Sequence, residues 1–181
     1  MAGFAIKRVG HVGVWVDNLE AMTDYYQRVL GFLVSDRIED DKDQVAYLTR
    51  NATEHHQMVF AVSNRDVQES ASLHNISFSI DSLTELKDAF ELLGEDQSTA
   101  EVTAVDHGNS WSVHFKDIEG NNCEIFCLTP WRVAKPYDEP LDLSVSVEEI
   151  IEKSKELAFA REGTNPSDVW QTKTRRRLKT T

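Results

Sequence analysis

The strongest constraint on this chain is that its first two-thirds are written twice. Val9-Gly-His-Val-Gly-Val-Trp-Val16 alternates as a strand does, and Asp17-Asn-Leu-Glu20 then opens a helix. Leu73-His-Asn-Ile-Ser-Phe-Ser-Ile80 alternates in the same way, and Asp81-Ser-Leu-Thr84 opens a second helix. His11 and His74 stand 63 residues apart, as do Gly31 and Gly94, while Asp17 and Asp81 slip by one. Such self-similarity implies two copies of one supersecondary unit.

Each predicted helix carries its own punctuation. Asp17 or Asn18, and Asp81 or Ser82, offer side-chain oxygens to the orphan amides of a first turn. Leu19, Met22, Tyr26, Val29 and Leu30 share one helical face, as do Leu83, Leu86, Phe90 and Leu93. Gly31 and Gly94 suit the left-handed position just past a helix end. Strands are expected over about 33–39, 44–50 and 56–63, then over 101–106, 111–117 and 123–128. Asn64 to Ala71 is polar and reads as a linker, and Glu119-Gly-Asn-Asn122 carries hairpin turn chemistry. The fold class is therefore α+β, a βαβββ module over about 1–63 followed by another over 72–128.

From Pro130 the pattern changes, and residues 129–181 read as a C-terminal extension. Ser146 to Arg161 is one amphipathic helix, with Ser146 and Glu149 spaced as a capping box. Lys173-Thr-Arg-Arg-Arg-Leu-Lys179 reads as a solvated or disordered basic tail, with contact to an acidic neighbouring subunit as the sharper alternative. The formal net charge of −12 disfavours nucleic-acid partners, which require a cationic face. No secretory leader and no bilayer-length apolar run is visible. Cys123 and Cys127 lie on one strand with Cα atoms roughly 13 Å apart, too far to bridge. These features point to a reduced, cytoplasmic protein.

Six histidines are present, and the repeat singles out His11 and His74. A pair of equivalent strands brought together would aim both rings at one point. Glu124 in Asn122-Cys-Glu-Ile-Phe-Cys127 is the third candidate, a carboxylate whose neighbours Cys123 and Ile125 are uncharged. Burying it is costly unless it is paired or holds a metal.

Through Gly10-His-Val-Gly-Val14, Tyr25-Tyr26, Leu30-Gly-Phe32, Leu73-His-Asn-Ile76 and Asp117-Ile-Glu-Gly-Asn-Asn-Cys-Glu-Ile125, the chain resembles the vicinal oxygen chelate superfamily. That superfamily includes glyoxalase I, extradiol ring-cleaving dioxygenases and bleomycin-resistance proteins. The resemblance implies two βαβββ modules forming a half-open barrel around a metal, with the helix-bearing extension outside it. It assigns the ligand positions to His11, His74 and Glu124. Two imidazoles and one carboxylate are the donor set of non-haem Fe(II) oxygenases, and Mn(II) is the other metal implied.

Within that superfamily the chain looks most like the one-domain extradiol dioxygenases. The supporting segments are Asn51-Ala-Thr-Glu-His-His-Gln-Met58 and Asp106-His-Gly-Asn-Ser-Trp-Ser-Val-His114. The resemblance implies His56 as acid–base catalyst, with His55 a surface residue on the other side of the pleat. His114 stands where the family has a hydrogen-bonding tyrosine, so a donor role survives with altered chemistry. His107 and Trp111 are implied to line the substrate site, Trp111 as core or pocket wall. The implied partners are a small aromatic diol and O₂, with no nucleic acid and no membrane. Pairing through strand edges would give a homodimer or higher homo-oligomer.

Two other readings follow from the same resemblance. A glyoxalase- or epimerase-like enzyme would use a fourth ligand, at the place His56 occupies. A small-molecule binder would keep the fold without catalysis.

Overall fold

The computed structural model describes residues 8–39, 44–62 and 73–180. The expected linker over 64–71 and the extreme N-terminus lie outside the described residues. The chain divides into two compact units. One comprises the described residues up to His74 together with Asp117–Asn121. The other comprises Asn75–Lys116 together with the chain from Asn122 onward.

The first unit is a βαβββ module: β1 (Val12–Val16), α1 (Leu19–Arg28), β2 (Leu33–Glu39), β3 (Gln44–Thr49) and β4 (Met58–Val62). Its open sheet runs β1-β4-β3-β2, with β1 parallel to β4 and the other pairs antiparallel. Helix α1 starts where the Asn18 side chain accepts from the Ala21 amide at 3.0 Å. Its buried residues are Leu19, Met22, Thr23, Tyr25 and Tyr26, and it covers the face of the sheet that carries Ala46, Leu48, Met58 and Phe60. Gly31 takes φ +68, the left-handed conformation predicted for it, and the Arg50 guanidinium lies against it while donating to the Leu30 carbonyl.

The turn at Asp117–Asn121 completes this unit. Buried Asp117 accepts from the amides of Glu119 and Asn121, which closes the turn around Gly120 at φ +79. The Glu119 carboxylate accepts from the amides of Asp17 and Asn18, two donors at the positive end of α1.

The second unit repeats the plan: β5 (Ile76–Ser79), α2 (Leu83–Glu95), β6 (Ala100–Asp106), β7 (Ser110–Lys116) and β8 (Asn122–Leu128). Its order β6-β7-β8-β5 matches that of the first sheet, again with one parallel pair, and β10 (Glu139–Pro140) adds a fifth strand beside β6. The Ser82–Glu85 capping box opens α2. Gly94 does not end that helix as the sequence suggests. It lies inside α2, which runs one residue further to an Asp96 cap whose amide donates to the Leu92 carbonyl.

The extension joins this second unit. The expected helix appears as α3 (Val147–Phe159), opened by the Ser146–Glu149 capping box. The basic run is not a structureless tail but part of a further helix, α4 (Ser167–Thr180), next to β9 (Trp131–Arg132) and β11 (Asn165–Pro166). No described helix is long and apolar enough to cross a membrane.

A buried polar chain ties α3 to the sheet. Trp111 Nε1 donates to Ser154 Oγ at 2.9 Å, and Ser154 is bonded in turn to Asp106, itself only 2% exposed. Burial pushes the Asp106 carboxyl up, while the bonds from Ser154 and the Gly108 amide pull it back. Ser154→Ala strands the indole N–H in the core. It should lower unfolding stability by about 1–3 kcal/mol in urea titrations followed by tryptophan fluorescence.

Candidate metal centre

Strand alternation decides which side chains of the second sheet are available for chemistry. On β7, Trp111, Val113 and Phe115 are buried, and on β8 so are Cys123, Ile125 and Cys127. This face meets α2. The pleat therefore turns His114 and Glu124 to the opposite face. The ladder pairs Thr103 with His114, His114 with Glu124, and Glu124 with Ser77, so these residues form one row across the sheet.

Glu124 is the least exposed charged group of that row, its side chain 13% accessible. Ser77 Oγ donates to Glu124 Oε2 at 2.5 Å, with Asn75 Nδ2 at 3.5 Å, while Oε1 lies 4.0 Å from His114 Nε2. His114 Nε2 is also 2.8 Å from His107 Nε2. Burial lowers the His114 ring below the usual imidazole range; Glu124 pulls it up, and His107 adds to the lowering. A neutral ring is the form that ligates a metal or carries a single donor N–H.

His107, His114 and Glu124 each offer a ligand atom, and the three lie within 4.8 Å of one another. Two imidazole nitrogens and a carboxylate oxygen form a set able to hold a divalent transition metal. The sequence missed this grouping because His107 approaches from the β6–β7 turn, where strand periodicity stops. The signal available was the i, i+7 spacing of two histidines in a segment with a hairpin turn between them.

In the first unit, His11 is exposed, one residue before β1. Its ring centroid is 4.5 Å from that of His56. His55 and His56 are not on a strand, since β4 begins at Met58. The opposite-sides expectation therefore does not apply, and the two rings touch through Nδ1 atoms 3.0 Å apart. Tyr47 stands edge-on to His56 at 5.2 Å between centroids. Desolvation lowers the His56 ring most, with further lowering by His11 and His55. The shift favours the neutral ring, the form that accepts a proton.

His74 is exposed and precedes β5 by two residues. The two halves are offset by 64 residues at both strand start (Val12, Ile76) and helix start (Leu19, Leu83), not by 63. In that register the counterpart of His11 is Asn75, and His74 comes one residue earlier. The correction arises because the slip seen at the helix caps already lies ahead of the strands. Of the two places expected for Trp111, core or pocket wall, it takes the core. It is 4% exposed on the core side of β7, edge-on to Trp131, and bonded to Ser154.

A family model described as Glyoxalase/Bleomycin resistance protein/Dioxygenase superfamily matches residues 8–125. The chain is 25% identical over 130 residues to the metapyrocatechase of Pseudomonas sp. (strain CF600). That match covers 70% of this chain and 41% of the relative, so the chain spans less than half of its length. A glyoxylase/bleomycin resistance protein/dioxygenase domain from Frankia sp. EAN1pec superposes with a TM-score of 0.59 at 20% identity, covering 69% of this chain and 94% of that one. A possible glyoxalase from Bacillus cereus gives 0.53 at 16% identity, over 67% and 100%. These likenesses fix the fold.

Members of the matched superfamily bind divalent metals, and the second sheet carries donors of the right type. Ser77 holds the Glu124 carboxylate in place from outside the donor set. Ser77→Ala should weaken divalent-metal retention about 10-fold in dialysis followed by elemental analysis.

Proposed function

The chain belongs to the Glyoxalase/Bleomycin resistance protein/Dioxygenase superfamily, and within it we propose an Fe(II)-dependent extradiol dioxygenase that opens a catecholic ring beside its two hydroxyls. The observation that carries the reading is Glu124, a nearly buried mid-strand carboxylate with a hydrogen-bonding serine on one side and an imidazole on the other. The similarity to metapyrocatechase, an extradiol dioxygenase, supports the choice of reaction.

Glu124 holds the metal with His11 and His74, the histidines that open the two halves; Mn(II) is the alternative metal. Fe(II), when bound, supplies chelation of the two catechol oxygens and activation of O₂. His56, beside His11 and Tyr47 and with its neutral form favoured by desolvation, takes the proton of a catechol hydroxyl and later returns it to the opening ring. His114 stands on the face that carries Glu124, at the place of the tyrosine in the extradiol pattern, and its one N–H, directed at His107 in the free protein, turns to substrate or O₂ once they bind. Both atoms of O₂ stay in the ring-opened semialdehyde, so no external reductant is consumed. The substrate and O₂ enter as small molecules, and a homo-oligomer is the proposed assembly.

One observation favours a second ligand set on the same reading. His107, His114 and Glu124 already converge, and the 64-residue offset places Asn75 where a second-half ligand would match His11. Under this arrangement His107 and His114 replace His11 and His74 around the same glutamate.

Reconstitution with Fe(II) under anaerobic conditions, followed by air and a panel of catechols, should give O₂ uptake and a yellow product. Glu124→Ala should lose iron, and His56→Ala should keep iron and lose turnover by about 100-fold or more. Loss of iron in His11→Ala and His74→Ala supports the first ligand set, and loss in His107→Ala and His114→Ala the second. Stoichiometric nickel, zinc or cobalt with no O₂ uptake on any catechol would contradict the dioxygenase and favour a glyoxalase-like isomerase. Absence of any bound metal, with chelation leaving small-molecule affinity intact, would make the chain a binder.

A further inference from the structure

Residues after 125 lie beyond the segment that the family model matches, yet they reach the polar face of the second sheet. After β8 the chain folds back as a strap over the turn that joins β6 to β7. Thr129 Oγ1 donates to the Gly108 carbonyl at 2.8 Å, and the Val133 amide donates to Asn109 Oδ1 at 2.7 Å. Lys135 Nζ donates to the His107 carbonyl at 2.8 Å. A Cβ built on Gly108 would come within 2.9 Å of both Tyr137 and Val133, and φ there is +73. Glycine is what allows the strap to lie so close. Beyond it, Glu139 pairs with Asp106 as β10 joins β6.

Asp138 sits between these two anchors, the buried Tyr137 ring and the paired Glu139. Its side chain is 64% exposed, but its backbone is held on both sides, and Oδ1 contacts His107 Nδ1. The other nitrogen of His107 faces His114 Nε2 at 2.8 Å. Four groups therefore run in series from Asp138 through His107 and His114 to Glu124.

We propose that Asp138 is a positioning residue: it holds His107 in the Nδ1–H form and, through that ring, fixes the orientation and tautomer of His114 beside Glu124. The chemistry follows from what each group can do. A carboxylate only accepts, so the His107 proton must be on Nδ1. The Nε2 lone pair of a neutral His107 then accepts from His114 Nε2–H, which leaves His114 Nδ1 unprotonated. Without Asp138, His107 could carry its proton on either nitrogen, and the His114 ring would lose its fixed partner. Outer partners of this kind set the tautomer and aim of site histidines in metalloenzymes.

The catalytic consequence rests on the dioxygenase reading above, but the tautomer does not, so two readouts separate them. The first is long-range ¹H–¹⁵N NMR of both rings in the full chain after chelation of any metal. The parent protein should show Nδ1–H for His107 and Nε2–H for His114. Asp138→Ala should mix the tautomers of both rings, whereas Asp138→Asn, whose Oδ1 still accepts, should preserve them. The second is turnover of a catechol by the iron-loaded protein. Asp138→Ala should lower kcat about 10-fold with KM changed less than about 2-fold, and Asp138→Asn should recover most of the loss. Unchanged tautomers in Asp138→Ala, or an asparagine variant no better than alanine in the NMR spectra, would overturn the proposal. Absence of turnover in the parent would count against the dioxygenase alone, since the NMR result still decides the role of Asp138.

Discussion

The structure of the site depends on one constraint, the two-residue period of strands β7 and β8. Burying Trp111, Val113 and Phe115 on one strand and Cys123, Ile125 and Cys127 on the next commits a whole sheet face to the core. A one-residue slip would push Glu124 and His114 into apolar surroundings and expose two cysteines and a tryptophan. The apolar residues thus fix the polar ones. They set a carboxylate and an imidazole opposite each other in the ladder before any metal or substrate takes part. Cys127 reflects the same burial, its thiol pushed up to about 11.

The βαβββ pattern was legible because each half announces it locally. Alternating segments, Asn18 and Ser82 as caps, and the apolar helix faces all depend on near neighbours in sequence. The predicted strands agree with the observed ones to within about three residues for the same reason. Glu124 was legible as an anomaly, a charge among residues that otherwise read as core. Where the reading failed, contacts beyond the motif decided. Gly94 stays helical because the turn closes beyond it, the Asp96 amide donating to the Leu92 carbonyl, and glycine inside a helix costs only about 1 kcal/mol relative to alanine. Helix α4 holds a basic run that composition alone assigns to a tail, but β9 and β11 give its first turns a surface to follow.

The histidines show the same division more sharply. His11 and His74 align when the sequence is read by eye, but strand and helix starts shift the match by one, onto Asn75. His107 reaches His114 from a turn, and Asp138 reaches His107 from 31 residues further along the chain. Neither contact has a period to betray it. The extension is therefore more than an appendage in sequence, since it shares a compact unit with the second module and buttresses the turn that carries His107. The contact between His107 and Asp138 joins the two sides of residue 128.

The proposed chemistry requires Glu124 to ligate a metal and not merely to accept a hydrogen bond from a serine. Crystals grown with Fe(II) under anaerobic conditions, with anomalous diffraction recorded at the iron edge, test it directly. One dominant iron peak is expected within bonding distance of a Glu124 carboxylate oxygen and of two histidine nitrogens. Iron centred on residues that leave Glu124 bonded only to Ser77 and Asn75 would contradict it.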